Sequence, residues 1–205
     1  MHWERARILS ATHLEGILEC EVRWLLYGRR ARIQQSSRGM ATAIPMLRDF
    51  RQSDAVHVDR VALTAFAEFR SAYSDWSAMS AAVSAMSALA SVGELVVAEV
   101  DGALVGAVAY IAPGRPKPDF FHASWPSVRM LVVDPDFRGR GVGRALMEEC
   151  LKRARRDGSA VLGLHTSPIM TAALSMYRKM GFKLQRDAPA IYGVPSAVYL
   201  VRFER

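Results

Sequence analysis

Met130-Leu-Val-Val-Asp-Pro-Asp-Phe-Arg-Gly-Arg-Gly-Val-Gly-Arg144 is the most informative stretch of this 205-residue chain. A continuous apolar run, Val128 to Val133 with one arginine in it, reads as a buried strand that ends at Asp134-Pro135. A turn rich in glycine and arginine follows. A helix is then expected from Gly141 to Asp157, with Gly158 as its stop. Glycine lets a backbone come close to a ligand. The first N–H groups of a helix lack acceptors and lie at its positive end. Such a loop suits a pyrophosphate, with Arg138, Arg140 and Arg144 adding charge. A nucleotide-binding Walker loop would end in Gly-Lys-Ser/Thr, which is absent. A dinucleotide fingerprint would place a glycine where Arg144 stands and an acidic residue after the next strand, where Gly163-Leu164-His165 has none. Spacing alone leaves open a tight strand–helix turn that binds nothing.

The flanking patterns extend this into a domain. Downstream, Ala160 to His165 reads as a strand. Pro168 to Met180 reads as a helix, with Ser167 as its cap and Gly181 after its end. Phe182 to Arg186 and Ser196 to Phe203 read as closing strands. Upstream, Glu94 to Val100 and Ala103 to Ile111 are strands joined by Asp101-Gly102, a two-residue hairpin signal. Two helices are expected before them, one from Ser53 or Asp54 to about Arg70 and one from Asp75 to near Gly93, after a short strand Ala43 to Leu47. The connection Ala112 to Pro126 carries four prolines, and loops of that length are usually functional or mobile. A hairpin followed by strand–helix–strand–helix–strand implies an α+β or α/β fold with a mixed sheet.

Two stretches together resemble the GNAT superfamily of N-acetyltransferases. Val133-Asp134-Pro135 with Arg138-x-x-Gly141-x-Gly143 is similar to its acetyl-CoA motif. Ala173-x-x-x-Tyr177-x-x-x-Gly181-Phe182 is similar to its later helix and turn, in the right order. The resemblance covers about Ile44 to Phe203. It implies a mixed, largely antiparallel central sheet flanked by helices, with acetyl-CoA as cosubstrate. The pantetheine arm would lie along the backbone of Leu131, Val132 and Val133. The pyrophosphate would sit on the amides of Gly139, Arg140, Gly141, Val142, Gly143 and Arg144. Pro135 would help part this strand from Ala160 to His165, opening a wedge for the thioester.

Acetyl transfer to an amine needs a base for the amine and an acid for the departing thiolate. By resemblance Tyr177 is the acid, although Ile169, Ala172, Ala173, Met176, Tyr177 and Met180 also form one helical stripe in which a tyrosine is core. For the base, many relatives carry a glutamate where this chain has Ser127. Others carry one where it has His165, and histidine titrates near neutrality. His165 is the candidate, beside a water chain to solvent. Relatives often carry an asparagine where Met170 stands, so one cofactor contact is expected to be missing or replaced. Tyr73, Trp76, Phe120, Phe121, His122, Trp125 and Tyr192 are candidates for the wall of an acceptor site. The acceptor is expected to be a small-molecule or peptide amine. The alternative is a non-catalytic acyl-CoA-binding sensor or interaction module of the same fold.

Composition agrees with a globular domain, at 51% hydrophobic and 23% charged residues. The net charge is +7, of which the first 40 residues contribute +3, from seven arginines and four glutamates. Lys152, Arg153, Arg155 and Arg156 read as charges complementing a helix C-terminus, so nucleic acid is not the expected partner. Cys20 and Cys150 are far apart and no Cys/His spacing suits zinc, so neither a metal nor a disulfide is expected. No apolar run suggests a membrane span or signal peptide, and a cytoplasmic location is expected. A homodimer is compatible with all of this. Residues 1–40 differ from the rest, with a helical pattern from Thr12 to Tyr27 and a polar run from Gln34 to Gly39. Residues 1–40 are therefore read as an extension and 41–205 as the acetyltransferase domain. Met40 is either a natural start, or the preceding stretch is a basic amphipathic arm.

Overall fold

The computed structural model describes residues 44–204; the helix and linker expected before residue 40 lie outside them. Eleven strands and α-helices run in chain order among the described residues. They are β1 (Met46–Asp49), α1 (Ala55–Ala67), α2 (Trp76–Val83), β2 (Glu94–Val100), β3 (Ala103–Ile111), β4 (Ser127–Val133), α3 (Val142–Arg156), β5 (Val161–Thr166), α4 (Thr171–Lys179), β6 (Lys183–Ile191) and β7 (Val194–Arg202). The seven strands form one sheet in the order β1-β2-β3-β4-β5-β7-β6. Every neighbouring pair is antiparallel except β4 and β5.

Both faces of the sheet are covered. On one face, Val142, Leu146, Met147 and Cys150 of α3 and Leu174 and Tyr177 of α4 pack on Val96, Val108, Val128 and Leu164. On the other, Val58, Val61, Ala62 and Ala65 of α1 pack on Val97, Ala107, Ala109 and Val132. This double cover explains why β3 and β4 read as apolar runs rather than as alternating strands. Leu146 is fully buried, and removing such a side chain costs about 2–5 kcal/mol. Asp101 and Gly102 both have positive φ, 51° and 78°, as a two-residue hairpin with native twist requires.

Several boundaries differ from the sequence expectations. The second upstream helix stops at Val83, and a 3₁₀ segment, Met86–Ser91, follows. Asp59 of α1 takes the Ser87 amide (2.7 Å) and hydroxyl (2.8 Å), a local alternative to continued helix. Asp54 stands at the start of α1, but its carboxylate binds Arg48 and the Arg51 amide rather than the helix. β1 lies further along than Ala43 to Leu47, because Arg48 is anchored to Glu99 and Asp54. The last hairpin is longer than expected. Pro189 and Pro195 lie within its strands, beside register shifts or edges, where proline is tolerated. α4 begins at Thr171, and Ser167 closes a preceding turn instead of capping the helix.

Basic residues of α3 are paired within the fold. Arg153 bonds Asp49, Glu94 and Glu149, and Arg156 bonds Glu94 and Asp157. These pairs tie α3 to β1 and β2, while the exposed Arg155 lies over the Phe203 ring. No helix among the described residues is long and apolar enough to cross a membrane.

Candidate active site

β4 and β5 are parallel neighbours at only two positions, Ser127 with Gly163 and Val128 with Leu164. Beyond them the strands part, while β4 stays paired to β3 and β5 to β7. A bulge contributes to this. Between Val132 and Arg129 β4 has one more residue than β3, and Met130 takes φ 51°. The strand is thereby re-aimed, and its backbone edge from Arg129 onward has no strand partner on the β5 side.

Past the end of β4, Pro135–Phe137 forms a 3₁₀ turn and Gly141 takes φ 81° at the N-cap of α3. The first helical bond runs from the Ala145 amide to the Gly141 carbonyl (2.9 Å), so the amides of Val142, Gly143 and Arg144 precede it without helical acceptors. No side chain caps them. A Cβ built on Gly141 would meet no protein atom within 4 Å, which leaves the approach to these amides open. The three arginines expected to assist are engaged elsewhere. Arg138 pairs with Glu68 (2.6 Å) and the Ala65 carbonyl, Arg140 stacks over Phe137, and Arg144 pairs with Glu148 (2.8 Å). Arg144 is largely exposed, and an exposed pair of this kind is worth at most about 1 kcal/mol. It can therefore be redirected to an anion, whereas Arg138 anchors the loop to α1.

A cavity of about 230 Å³ occupies the parting of the strands. Tyr177 and His165 both line it. Strand alternation places them on opposite faces. Leu164 and Tyr177 belong to the α3–α4 core, whereas His165 lies opposite Val198, in the cluster with Phe121 and Leu200. Tyr177 is buried, and burial raises its phenol above the ordinary value. Its hydroxyl has no hydrogen-bond partner among the described residues. The neighbouring Cys150 thiol is also buried, and pushed up to about 12.

The His165 tautomer follows from its neighbours. The single proton of Ser196 Oγ goes to the Pro189 carbonyl (2.6 Å). Ser196 Oγ must then accept from His165 Nε2, 2.6 Å away, which leaves the lone pair on Nδ1. Burial, and to a lesser degree the positive Arg129, holds this imidazole below the ordinary histidine pKa, so it is neutral at pH 7. Ser127 is fully buried, its hydroxyl has no partner among the described residues, and it does not line the cavity. Met170 lines the cavity and receives the Thr166 hydroxyl at 3.7 Å.

Of the aromatic wall candidates, Phe120, Phe121 and Tyr192 line the cavity. Tyr73 and Trp76 pack instead with Met79 and Val83, and His122 and Trp125 lie against each other beside a separate shallow hollow. Lys117 orders the long loop by donating to the carbonyls of Ala112, Ala123 and Trp125 (3.1, 3.2 and 2.7 Å). Phe121 then lies over Gly163, where any Cβ would stand 3.0 Å from its ring. Arg129 and Phe66 also line the cavity and were not among the candidates. The sequence signal for Arg129 was present, as the one charge within an apolar strand.

A parted parallel strand pair thus leads from a free helix start to a cavity lined by a phenol and an imidazole. The profile of the Acetyltransferase (GNAT) family matches residues 61–182, more than half of the chain. An L-2,4-diaminobutyric acid acetyltransferase from Nocardia farcinica is 35% identical over 100 residues, covering 46% of this chain and 48% of that protein. A mycothiol acetyltransferase from Cellulomonas flavigena is 35% identical over 104 residues, 50% of this chain and 30% of that one. The chain thus spans about half or less of the length of these curated relatives. A GNAT family acetyltransferase from Brucella melitensis, solved in complex with acetyl-CoA, superposes with a TM-score of 0.54 at 25% identity, over 80% of this chain and 90% of that one. This chain belongs to the GNAT acetyltransferase family.

Proposed function

We propose that the protein is an N-acetyltransferase that moves the acetyl group of acetyl-CoA to an amine. The observation that carries this reading is the cavity at the parting of β4 and β5, which Tyr177 and His165 enter from opposite faces of the sheet. The coenzyme supplies an activated acyl carbon whose thiolate leaves readily. The amides of Val142, Gly143 and Arg144 would hold its pyrophosphate. The unpartnered edge of β4, at Leu131 to Val133, would hold the pantetheine arm and place donors near the carbonyl oxygen, where charge develops.

His165 Nδ1 takes a proton from the ammonium and frees the nitrogen lone pair. The nitrogen then bonds the acyl carbon and passes its second proton to solvent as the carbon–sulfur bond breaks. Tyr177 gives its proton to the departing sulfur, and exchange with solvent resets both groups. Opposite faces suit this order, because base and acid then stand on the acceptor and coenzyme sides. A raised phenol pKa keeps Tyr177 protonated until the thiolate forms. A lowered imidazole pKa keeps His165 free to accept.

The test is release of free thiol from acetyl-CoA over a library of amines. The expected result is turnover dependent on at least one amine. Tight acetyl-CoA binding without turnover on any amine would instead favour an acyl-CoA-binding sensor of the same fold.

A further inference from the structure

Arg129 is the charged group of the cavity that the acetyl-transfer reading leaves without a task. It is the first β4 residue beyond the last position paired with β5, and His165 is the first β5 residue beyond the same point. The two therefore flank the vertex where the strands separate. Arg129 pairs across the sheet with Ala109, which belongs to the core under α1, so its side chain lies on the acceptor face. It is partly buried. Among the described residues it has no ion pair and no side-chain hydrogen bond. Arg48, Arg138, Arg144, Arg153 and Arg156, by contrast, all have carboxylate partners. Burial opposes the charged form of Arg129, yet a guanidinium stays protonated at any physiological pH. A cation drawn partly out of water with no counter-ion is costly unless a ligand supplies one.

Among the described residues, the cavity wall contains no aspartate or glutamate. A bare amine arrives as an ammonium. It would meet like charge from Arg129, apolar surface from Phe66, Met79 and Val83, and no carboxylate among the described residues. An amine that carries its own carboxylate brings the missing counter-ion, and the planar fork of arginine matches it with two parallel bonds. The pyrophosphate seat does not compete for Arg129. It lies past the opposite end of β4, roughly 13 Å or more along the strand at about 3.3 Å per residue.

We propose that the acceptor is a small amino-carboxylate, such as a free amino acid, whose carboxylate is held by Arg129 while its amine faces His165. This rests on the acetyl-transfer reading and narrows it to a substrate class. A volume of about 230 Å³, shared with the acetyl end of the coenzyme, suits a compact acceptor rather than several residues of a polypeptide.

The experiment uses the full chain and matched acceptor triplets: amino acids with apolar side chains, their carboxamides, and the corresponding decarboxylated amines. Peptides with the same N-terminal residue are added. Thiol release from acetyl-CoA gives kcat/KM, and calorimetry gives acetyl-CoA affinity. The wild-type protein is expected to favour the carboxylate member by about 10–150-fold, the worth of a charge-assisted hydrogen bond. In Arg129→Gln that preference should collapse through loss of amino acid turnover, with acetyl-CoA affinity unchanged. Arg129→Lys, which keeps charge but not the fork, should retain part of it. Equal use of carboxamides, decarboxylated amines or peptides by the wild type would overturn the carboxylate assignment while leaving acetyl transfer standing. So would an equal loss on every acceptor in Arg129→Gln, which would mark Arg129 as a donor to the thioester oxygen. Acetyl-CoA binding with no turnover on any panel member would overturn both readings.

Discussion

Tyr177 and His165 are candidate acid and base for different reasons. Tyr177 owes its place to the apolar stripe of α4, which carries it into the core while its hydroxyl has no partner among the described residues. Tyr177→Phe should therefore change the melting temperature little. It should lower the single-turnover rate by roughly 10–1,000-fold, near the usual worth of one acid–base group. An unchanged single-turnover rate with lowered stability would return the residue to the core. His165 owes its state to Ser196 and Pro189, which assign the tautomer, and to burial and Arg129, which disfavour the imidazolium. The sign follows directly. A lowered pKa keeps the base form populated as pH falls through neutrality, so kcat should hold until below about 6.5 and then decline. His165→Gln keeps a donor for Ser196 and removes the base. That variant should lose the acidic limb together with most of the single-turnover rate. An unaltered pH profile would point to a water chain instead.

β4, the turn after it and α3 act as one unit. The bulge at Met130 parts the strand from β5, and the left-handed Gly141 turns the chain so that three amides face outward. Gly141→Val is expected to abolish acetyl-CoA binding by calorimetry, for two reasons. A β-branched residue at φ 81° strains the backbone, by about 1–2 kcal/mol. Its side chain also enters the space an anion would use. The protein should remain folded, since a Cβ there clashes with no protein atom. Unchanged affinity in the variant would remove the pyrophosphate from this loop. α3 is secured at its other end too. The buried Tyr110 hydroxyl of β3 donates to Asp157 (2.8 Å), and Glu94 binds Arg153 and Arg156. The amide seat is thus held against the sheet by contacts at the far end of the same helix.

Among the described residues, the cores on both faces of the sheet are built by α1 on one side and by α3 and α4 on the other. We propose that residues 41–205 form a complete domain. A protein beginning at Met40 is expected to melt cooperatively and to bind acetyl-CoA with the affinity of the full chain. An insoluble or molten product would place residues 1–40 within the folded unit. The joint between the first helices and the last hairpin also bears on the site. Ser74 donates through its amide (2.9 Å) and its hydroxyl (2.8 Å) to the Tyr192 carbonyl at the hairpin tip. This brings Ile191 and Tyr192 to the cavity wall opposite β4.

The sequence by itself determined what short-range chemistry controls. The Asp101-Gly102 turn, the buried β3 and β4 runs, the glycine-marked start of α3 and the helical stripe holding Tyr177 were all legible. Each depends on φ preferences or apolar period within a few residues. The end of helix α2 was not, because it is cut short by Asp59, a residue of another helix. Both strands of the final hairpin were legible but not their full length, since proline at 189 and 195 is tolerated only at shifts and edges of the sheet. The site divides in the same way. The residues before α3 read as an anion loop, but the pairing of Arg138 with Glu68 required a partner 70 positions away. Tyr73 and Trp76 looked like acceptor walls, and only packing against Met79 and Val83 withdrew them. Arg129 and His165 stand 36 residues apart, and nothing local relates them. Two parallel strands that pair for two residues and then diverge bring them to one cavity, because strand registry, unlike local propensity, is decided by contacts distant in the chain.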